Sequence, residues 1–253
     1  MSRHVNVGGL DFYARGYRAV PGDSNLFGIA RNGLQGFDGS AARRGDDVAK
    51  PNSDGAFALP SFASAAIRTI QGVALASSEW ELQTLRDRLM GLASGGRFHR
   101  VTYSIEGRPR WALAQVWDTP AWEWDPRRGF RAKFSIILRS PDPHWYSNPE
   151  RHDVSSSGVE IPNRGNAQSW PEWSVPGARA AGWWVEAGGN RLTVAASIPA
   201  GRRAIVESRT GRVRLDNGVE LTGVSGVEPV LPVGVSTVRA SGSATVTVTE
   251  TYT

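Results

Sequence analysis

Cysteine is absent from this 253-residue chain. That absence excludes thiol redox chemistry, thiolate metal sites, disulfide staples and a cysteine nucleophile, and it leaves the compartment open. Lysine is nearly absent as well. Lys50 and Lys133 are the only two, and each follows an alanine, so the glycine-then-lysine of a phosphate-binding loop cannot be assembled. Histidine is scarce: His4, His99, His144 and His152 show no i, i+4 pairing and no zinc-protease spacing, and they read as partly exposed polar side chains. No Gly-x-Ser-x-Gly elbow occurs. Nowhere do about eighteen apolar residues run together, and the first six residues lead into a polar, strand-like segment with no apolar leader core. The expectation is a soluble chain without a cleaved leader and without membrane insertion.

Arginine supplies nearly all of the basic charge, and the formal net charge is +5. Nucleic-acid binding calls for a concentrated basic stripe with aromatics interleaved for stacking. Here the densest pairs, Arg43-Arg44, Arg127-Arg128 and Arg202-Arg203, are far apart in sequence. No nucleic-acid recognition is therefore expected. Short alternating runs rich in Val and Thr, separated by Gly, Pro and Ser, point to a mainly β protein long enough to bury most of its apolar surface.

One segment has helical periodicity. Leu82, Leu85, Leu89 and Leu92 recur at spacings of three and four, which places them on one face of a helix over residues 78–94. Ser78 and Glu81 fit a capping box, and Gly95-Gly96 supplies a stop. Extended segments surround it at residues 5–12, 66–76, 98–106, 111–118 and 129–139, with Glu106-Gly107-Arg108-Pro109 turning one strand into the next. Residues 31–60 carry charges and glycines with little periodicity. A structureless loop of that length is uncommon inside a compact domain, so the segment is expected to be either mobile or ordered by something outside the monomer.

At Pro141-Asp142-Pro143 the character changes, because two prolines cannot continue a central strand. A boundary here divides the chain into residues 1–143 and 144–253. The second part holds short runs joined by turn signals, as in a sandwich or small barrel. Three hairpin turns are legible, at Gly188-Gly189-Asn190, at Thr210-Gly211 and at Asp216-Asn217-Gly218. The ATVTV run near the end reads as a half-buried strand.

Two constellations could carry chemistry. Glu123 and Asp125 alternate with Trp122 and Trp124, and acids among aromatics are what a sugar-cleaving cleft would need. The simpler reading is an exposed strand edge paired with Arg127 and Arg128. Ten tryptophans are many for this length, and Trp170, Trp173, Trp183 and Trp184 fall in the second part, where they could form a sugar-stacking platform on a virion or cell surface. Adjacent Trp183 and Trp184 must point to opposite faces of a strand, so at least one of the two leaves the core. Aromatics are also enriched at the centres of protein interfaces, which is the favoured use here.

Four segments resemble the distal tail protein family of siphophages, in the divergent form found in phages of actinobacteria. They are Gly36-Phe37-Asp38-Gly39 followed by Asp54-Gly55-Ala56-Phe57; Ser140-Pro141-Asp142-Pro143-His144-Trp145-Tyr146; Asn163-Arg164-Gly165 running on to Trp170-Pro171-Glu172-Trp173; and the hairpin over residues 211–218. Their order and spacing cover nearly the whole chain. Trp170 stands where the family pattern has tyrosine, and no inserted carbohydrate-binding module is found.

The resemblance implies a mainly β fold with no cofactor, metal or catalytic site: an N-terminal β domain carrying one helix, and a C-terminal galectin-like sandwich. It also implies a structural minor tail protein of the baseplate, a homohexameric ring in the virion at the tail tip, assembled in the host cytoplasm. Its partners would be further copies of itself, the tail tube protein, the tip hub protein and the tape measure protein. Arg43, Arg44, Asp46, Asp47, Trp145 and Tyr146, with the helix surface opposite the leucines, are the expected assembly contacts, and the long loop would be ordered by the neighbouring subunit.

Overall fold

The computed structural model describes residues 3–14, 26–45, 48–57, 59–125 and 129–253. The chain divides into two compact units, the first ending at Trp145 and the second spanning Tyr146 to Tyr252. The first unit begins with a hairpin, β1 (Arg3–Val7) and β2 (Leu10–Ala14), paired so that Val7 faces Leu10. Residues 5–12 are thus two strands and not the single extended segment expected from their composition. The turn lies at Gly8-Gly9, where both φ angles are positive, as a two-residue hairpin turn requires.

β3 (Leu26–Gln35) runs parallel to β2, then antiparallel to β8 (Ala66–Leu75) with a bulge between Ile29 and Leu34. Between β3 and β8 lie four short strands: β4 (Arg43–Arg44), β5 (Val48–Ala49), β6 (Ala56–Phe57) and β7 (Phe62–Ala63). After β8 come the helix α1 (Glu79–Gly91) and the strands β9 (Phe98–Ile105), β10 (Arg108–Val116), β11 (Ala121–Trp124) and β12 (Arg131–Ser140).

The sheet closes on itself. Its order β12-β8-β3-β2-β1-β9-β10 returns to its start because Gln115 and Val116 of β10 pair with Arg139 and Leu138 of β12. One edge of β12 bonds β8 along its whole length. The other edge is shared, with residues 132–135 given to β11 and residues 138–139 to β10. Alternation along each strand sends Val5, Val7, Phe12, Phe27, Ile70, Val101, Phe134, Ile136 and Leu138 inward, all but fully buried. Phe12, Phe27 and Phe134 meet with ring centroids 5.2–5.6 Å apart.

α1 carries the expected leucine face, with Leu82, Leu85 and Leu89 buried. Ser78 caps it, its hydroxyl accepting from the Glu81 N–H at 3.2 Å. The Glu81 carboxylate reaches one residue further back than a capping box would have it, accepting from the Ser77 N–H at 3.1 Å. The helix ends at Gly91, short of the expected residue 94. A 3-10 turn over Ser94–Gly96 then leads into β9.

The second unit is a β-sandwich of two five-stranded sheets. One is ordered Glu150–Val154, Ala244–Val248, Glu172–Pro176, Arg203–Glu207 and Arg212–Leu215. The other is ordered Val159–Asn163, Gly234–Ala240, Trp183–Ala187, Asn190–Val194 and Val224–Gly226. Trp173, Val175, Trp183, Val185, Leu192, Val206 and Val246 form a single apolar cluster between them. The architecture is therefore mainly β, with one α-helix among the described residues of the first unit.

Candidate assembly arm and the cluster at its root

Residues 31–60 are not structureless. The first five belong to β3, and beyond them the chain extends as a β arm in which Arg43 and Arg44 pair with Ala63 and Phe62, and Val48 and Ala49 with Phe57 and Ala56. A regular ladder satisfies the backbone of a long excursion without a core beneath it. The arm displays Val48, Phe57, Leu59 and Phe62 with 48% to 64% of each exposed. Arg43 donates to the Ser61 hydroxyl at 3.3 Å, and Arg44 is exposed. Asp46 and Asp47 lie outside the described residues.

The arm is fixed at its root. Gly36, with φ of +73°, turns the chain out of β3, and a Cβ there would stand 2.2 Å from the Ile67 carbonyl oxygen. Phe37 folds back into the core, its ring 5.2 Å from Tyr103 and 5.8 Å from Trp145. Asp38 accepts from the Tyr103 hydroxyl at 2.7 Å and from Arg3 at 2.8 Å. At the returning end Arg68, 1% exposed, lies 4.1 Å over the Trp145 ring, bonds the Ser140 hydroxyl and donates to the Pro143 carbonyl at 3.0 Å. Burial lowers the Arg68 guanidinium to about 10, with the nearby Asp142 charge opposing that fall. Burial first, and then the bond to Asp38, push the Tyr103 phenol well above its ordinary range.

Two of the four motifs thus converge on one internal knot. Trp145, expected at an assembly contact, is 5% exposed and packs against the arm's root, while Arg43 and Arg44 lie out along the arm. Tyr146 belongs to the second unit, where its half-buried hydroxyl receives a bond from Arg209 at 3.3 Å. A third motif is likewise structural. The buried Asn163 amide donates to the Ala167 and Leu231 carbonyls at 2.9 and 3.0 Å and accepts from the Gly165 N–H at 3.0 Å. The apolar side chains of the arm were the missed signal. Phe57 and Leu59 alternate, and Phe62 follows, inside a stretch whose charges and glycines mask that pattern.

The two constellations singled out for sugar chemistry come apart. Glu123 faces Lys133 across the β11–β12 ladder, with the carboxylate 3.3 Å from the ammonium; Arg127 and Arg128 lie outside the described residues. In the sandwich Trp173 and Trp183 are buried, and the exposed face of Trp184 is covered by the Arg191 guanidinium at 3.9 Å, itself bonded to Glu186. Among the described residues no group of three or more His, Asp or Glu is placed to hold a metal ion, and no helix is long and apolar enough to cross a membrane.

The whole chain superposes on the crystal structure of SPP1 Dit, a protein described as a paradigm of the hub adsorption apparatus in phages that infect Gram-positive bacteria. The TM-score is 0.74, and the match covers 99% of each chain at 16% identity. This chain has the Dit fold. Two forms of the phage P2 baseplate in its activated conformation, with calcium and with strontium, align over 99% and 98% of this chain and 98% and 97% of theirs, each at 10% identity. Their TM-scores of 0.48 and 0.46 are too low to establish a common fold. No protein-family model and no curated protein sequence matches the chain. The Dit fold is therefore visible through tertiary structure at an identity too low to carry more than the fold.

Proposed function

We propose that this chain is a structural, non-catalytic subunit of a phage tail tip, of the distal tail protein kind. Copies of it close a hexameric ring in the virion at the end of a long non-contractile tail, between the tail tube and the tip hub. Residues 1–143 form the ring and residues 144–253 carry the galectin-like sandwich. The tail tube, hub and tape measure proteins are its partners, and assembly takes place in the host cytoplasm. The observation that carries this reading is the fold shared with SPP1 Dit over the full length of both chains.

The arm supplies the physical motive. Four large apolar side chains, 48% to 64% exposed on a two-stranded arm, are left largely uncovered by the described residues. Finishing their burial against a neighbour is worth roughly 3–6 kcal/mol per arm before ordering costs, at 1.5–3 kcal/mol for a fully buried side chain. A contact in which an arm meets a different surface of the next copy is heterologous, and heterologous contacts close into rings when the rotation allows.

Light scattering over a range of concentrations tests this. The wild-type mass should rise toward six times that of the monomer, and Phe57→Asp with Phe62→Asp should hold the protein at monomer mass with an unchanged far-ultraviolet spectrum. A wild type that stays monomeric at every concentration, or an arm variant that keeps the full mass, would refute it.

A further inference from the structure

We propose that the groove between α1 and β11 binds the neutral hexose or N-acetylhexosamine units of a glycan, and holds them without cleaving them. Among the described residues β11 is an edge strand, hydrogen-bonded to β12 alone, and Trp122 and Trp124 stand opposite Phe134 and Ala132, on the face that β12 buries. Trp122 and Trp124 share one face with their Cβ atoms about 7 Å apart, and Glu123 takes the other. The tryptophan face borders a groove of about 220 Å³ whose remaining lining is Glu79, Leu82, Gln83 and Arg86 of α1. Leu82 is buried and Trp124 is 48% exposed, so the groove has an apolar floor and an open aromatic side.

The lining fits a pyranose ring. Such a ring offers an apolar C–H face, which an indole covers, and a rim of hydroxyls that both donate and accept. Glu79 accepts, Arg86 donates and Gln83 does both, which matches that rim. Among the described lining residues the Glu79 carboxylate stands with one guanidinium, Arg86, which Asp87 approaches at 3.8 Å, so these residues offer no excess positive charge to a phosphorylated or acidic sugar. The volume suits one ring-sized group, whereas a protein partner needs about 800 Å² of surface on each side.

Cleavage is a different matter. Hydrolysis of a glycosidic bond uses two carboxyl groups flanking it. Among the described lining residues Glu79 is the one carboxylate, because Glu123 is turned away and paired with Lys133. Glu123 is thus a spectator, Asp125 lines a different groove, and the tryptophans on either side of Glu123 make the site.

The test is isothermal titration of the full-length protein with maltotriose, galactotriose and chitotriose. At least one should bind saturably. Trp124→Ala should weaken binding by about tenfold, the upper range of a single aromatic contact, and Gln83→Ala should weaken it by a smaller factor. Trp80→Ala, which removes an exposed indole of the same helix outside the groove, should leave binding unchanged. Failure of all three sugars to bind up to about 20 mM, well beyond the millimolar affinities of single-ring contacts, overturns the proposal. So does equal binding by Trp124→Ala, or a Trp124→Ala protein whose mass by light scattering falls below that of the wild type, since the groove would then be a contact between copies.

Discussion

Replacing Tyr103 by phenylalanine removes one hydroxyl from the root of the arm and leaves the ring against Phe37 and Trp145. That hydroxyl donates to the Asp38 carboxylate at 2.7 Å. A hydrogen bond to a charged group is worth about 1.5–3 kcal/mol. The Asp38 side chain is 48% exposed, so water can solvate the carboxylate once its partner is gone, and the loss should sit at the low end, about 1.5 kcal/mol. For a unit of this size that lowers the melting temperature by about 5 °C. The sign of the pH dependence provides a second, independent check. The phenol is held above its unfolded value of about 10, so above that pH the unfolded chain releases a proton that the folded chain keeps, and wild-type stability falls. The phenylalanine variant lacks this term. The gap between the two proteins should therefore close above pH 10 by up to about 1.4 kcal/mol per pH unit. Thermal melts by near-ultraviolet circular dichroism at pH 7 and in steps from pH 9.5 to 11 measure both quantities. A variant as stable as wild type at pH 7, or a gap that stays constant through pH 11, would refute the geometry assigned to Tyr103 and Asp38.

Gly36→Ala should destabilise the first unit by more than about 2 kcal/mol, because the new methyl meets the Ile67 carbonyl oxygen and the backbone φ is unfavourable for alanine. Urea unfolding reports it, and a change under 0.5 kcal/mol would contradict the close approach. Asn163→Ala takes the side-chain partner from the Gly165 N–H and the Ala167 carbonyl, and leaves the Leu231 carbonyl only its bond from the Ser169 N–H, at a cost of about 2–4 kcal/mol. Faster amide exchange along the Val159–Asn163 and Gly234–Ala240 strands checks it, and unchanged protection there would rule it out.

Periodicity is a local property, and where local pattern decides structure the sequence is legible. Leu82, Leu85 and Leu89 mark the helix, and the hairpin at Gly188-Gly189 joins Trp183–Ala187 to Asn190–Val194. The Trp183-Trp184 pair also resolves as alternation demands, one ring in the core and the other out under Arg191. Misreadings arise where a local signal has two outcomes. The glycines at positions 8 and 9 sit inside an apolar alternation that hides their turn. The stretch over residues 31–60 has a loop's composition, yet Val48 and Ala49 find partners within it, and Arg43 and Arg44 find theirs just beyond it at Ala63 and Phe62.

Composition and spacing by themselves determined that this protein is mainly β, that it carries a helix between two strands, and that thiol and phosphate-loop chemistry are closed to it. Those outcomes depend on which residue types are present and on neighbours within a few positions. Tertiary structure alone decided that β10 returns to β12 to close the sheet, that β2 and β3 run parallel, and that residues as distant as Arg3, Asp38, Tyr103 and Trp145 share one cluster. It also decided that Trp122 and Trp124, not Glu123, face the helix groove. Alternation assigns a side chain to one face of its strand. Only the pairing of strand edges across the whole chain decides what that face meets.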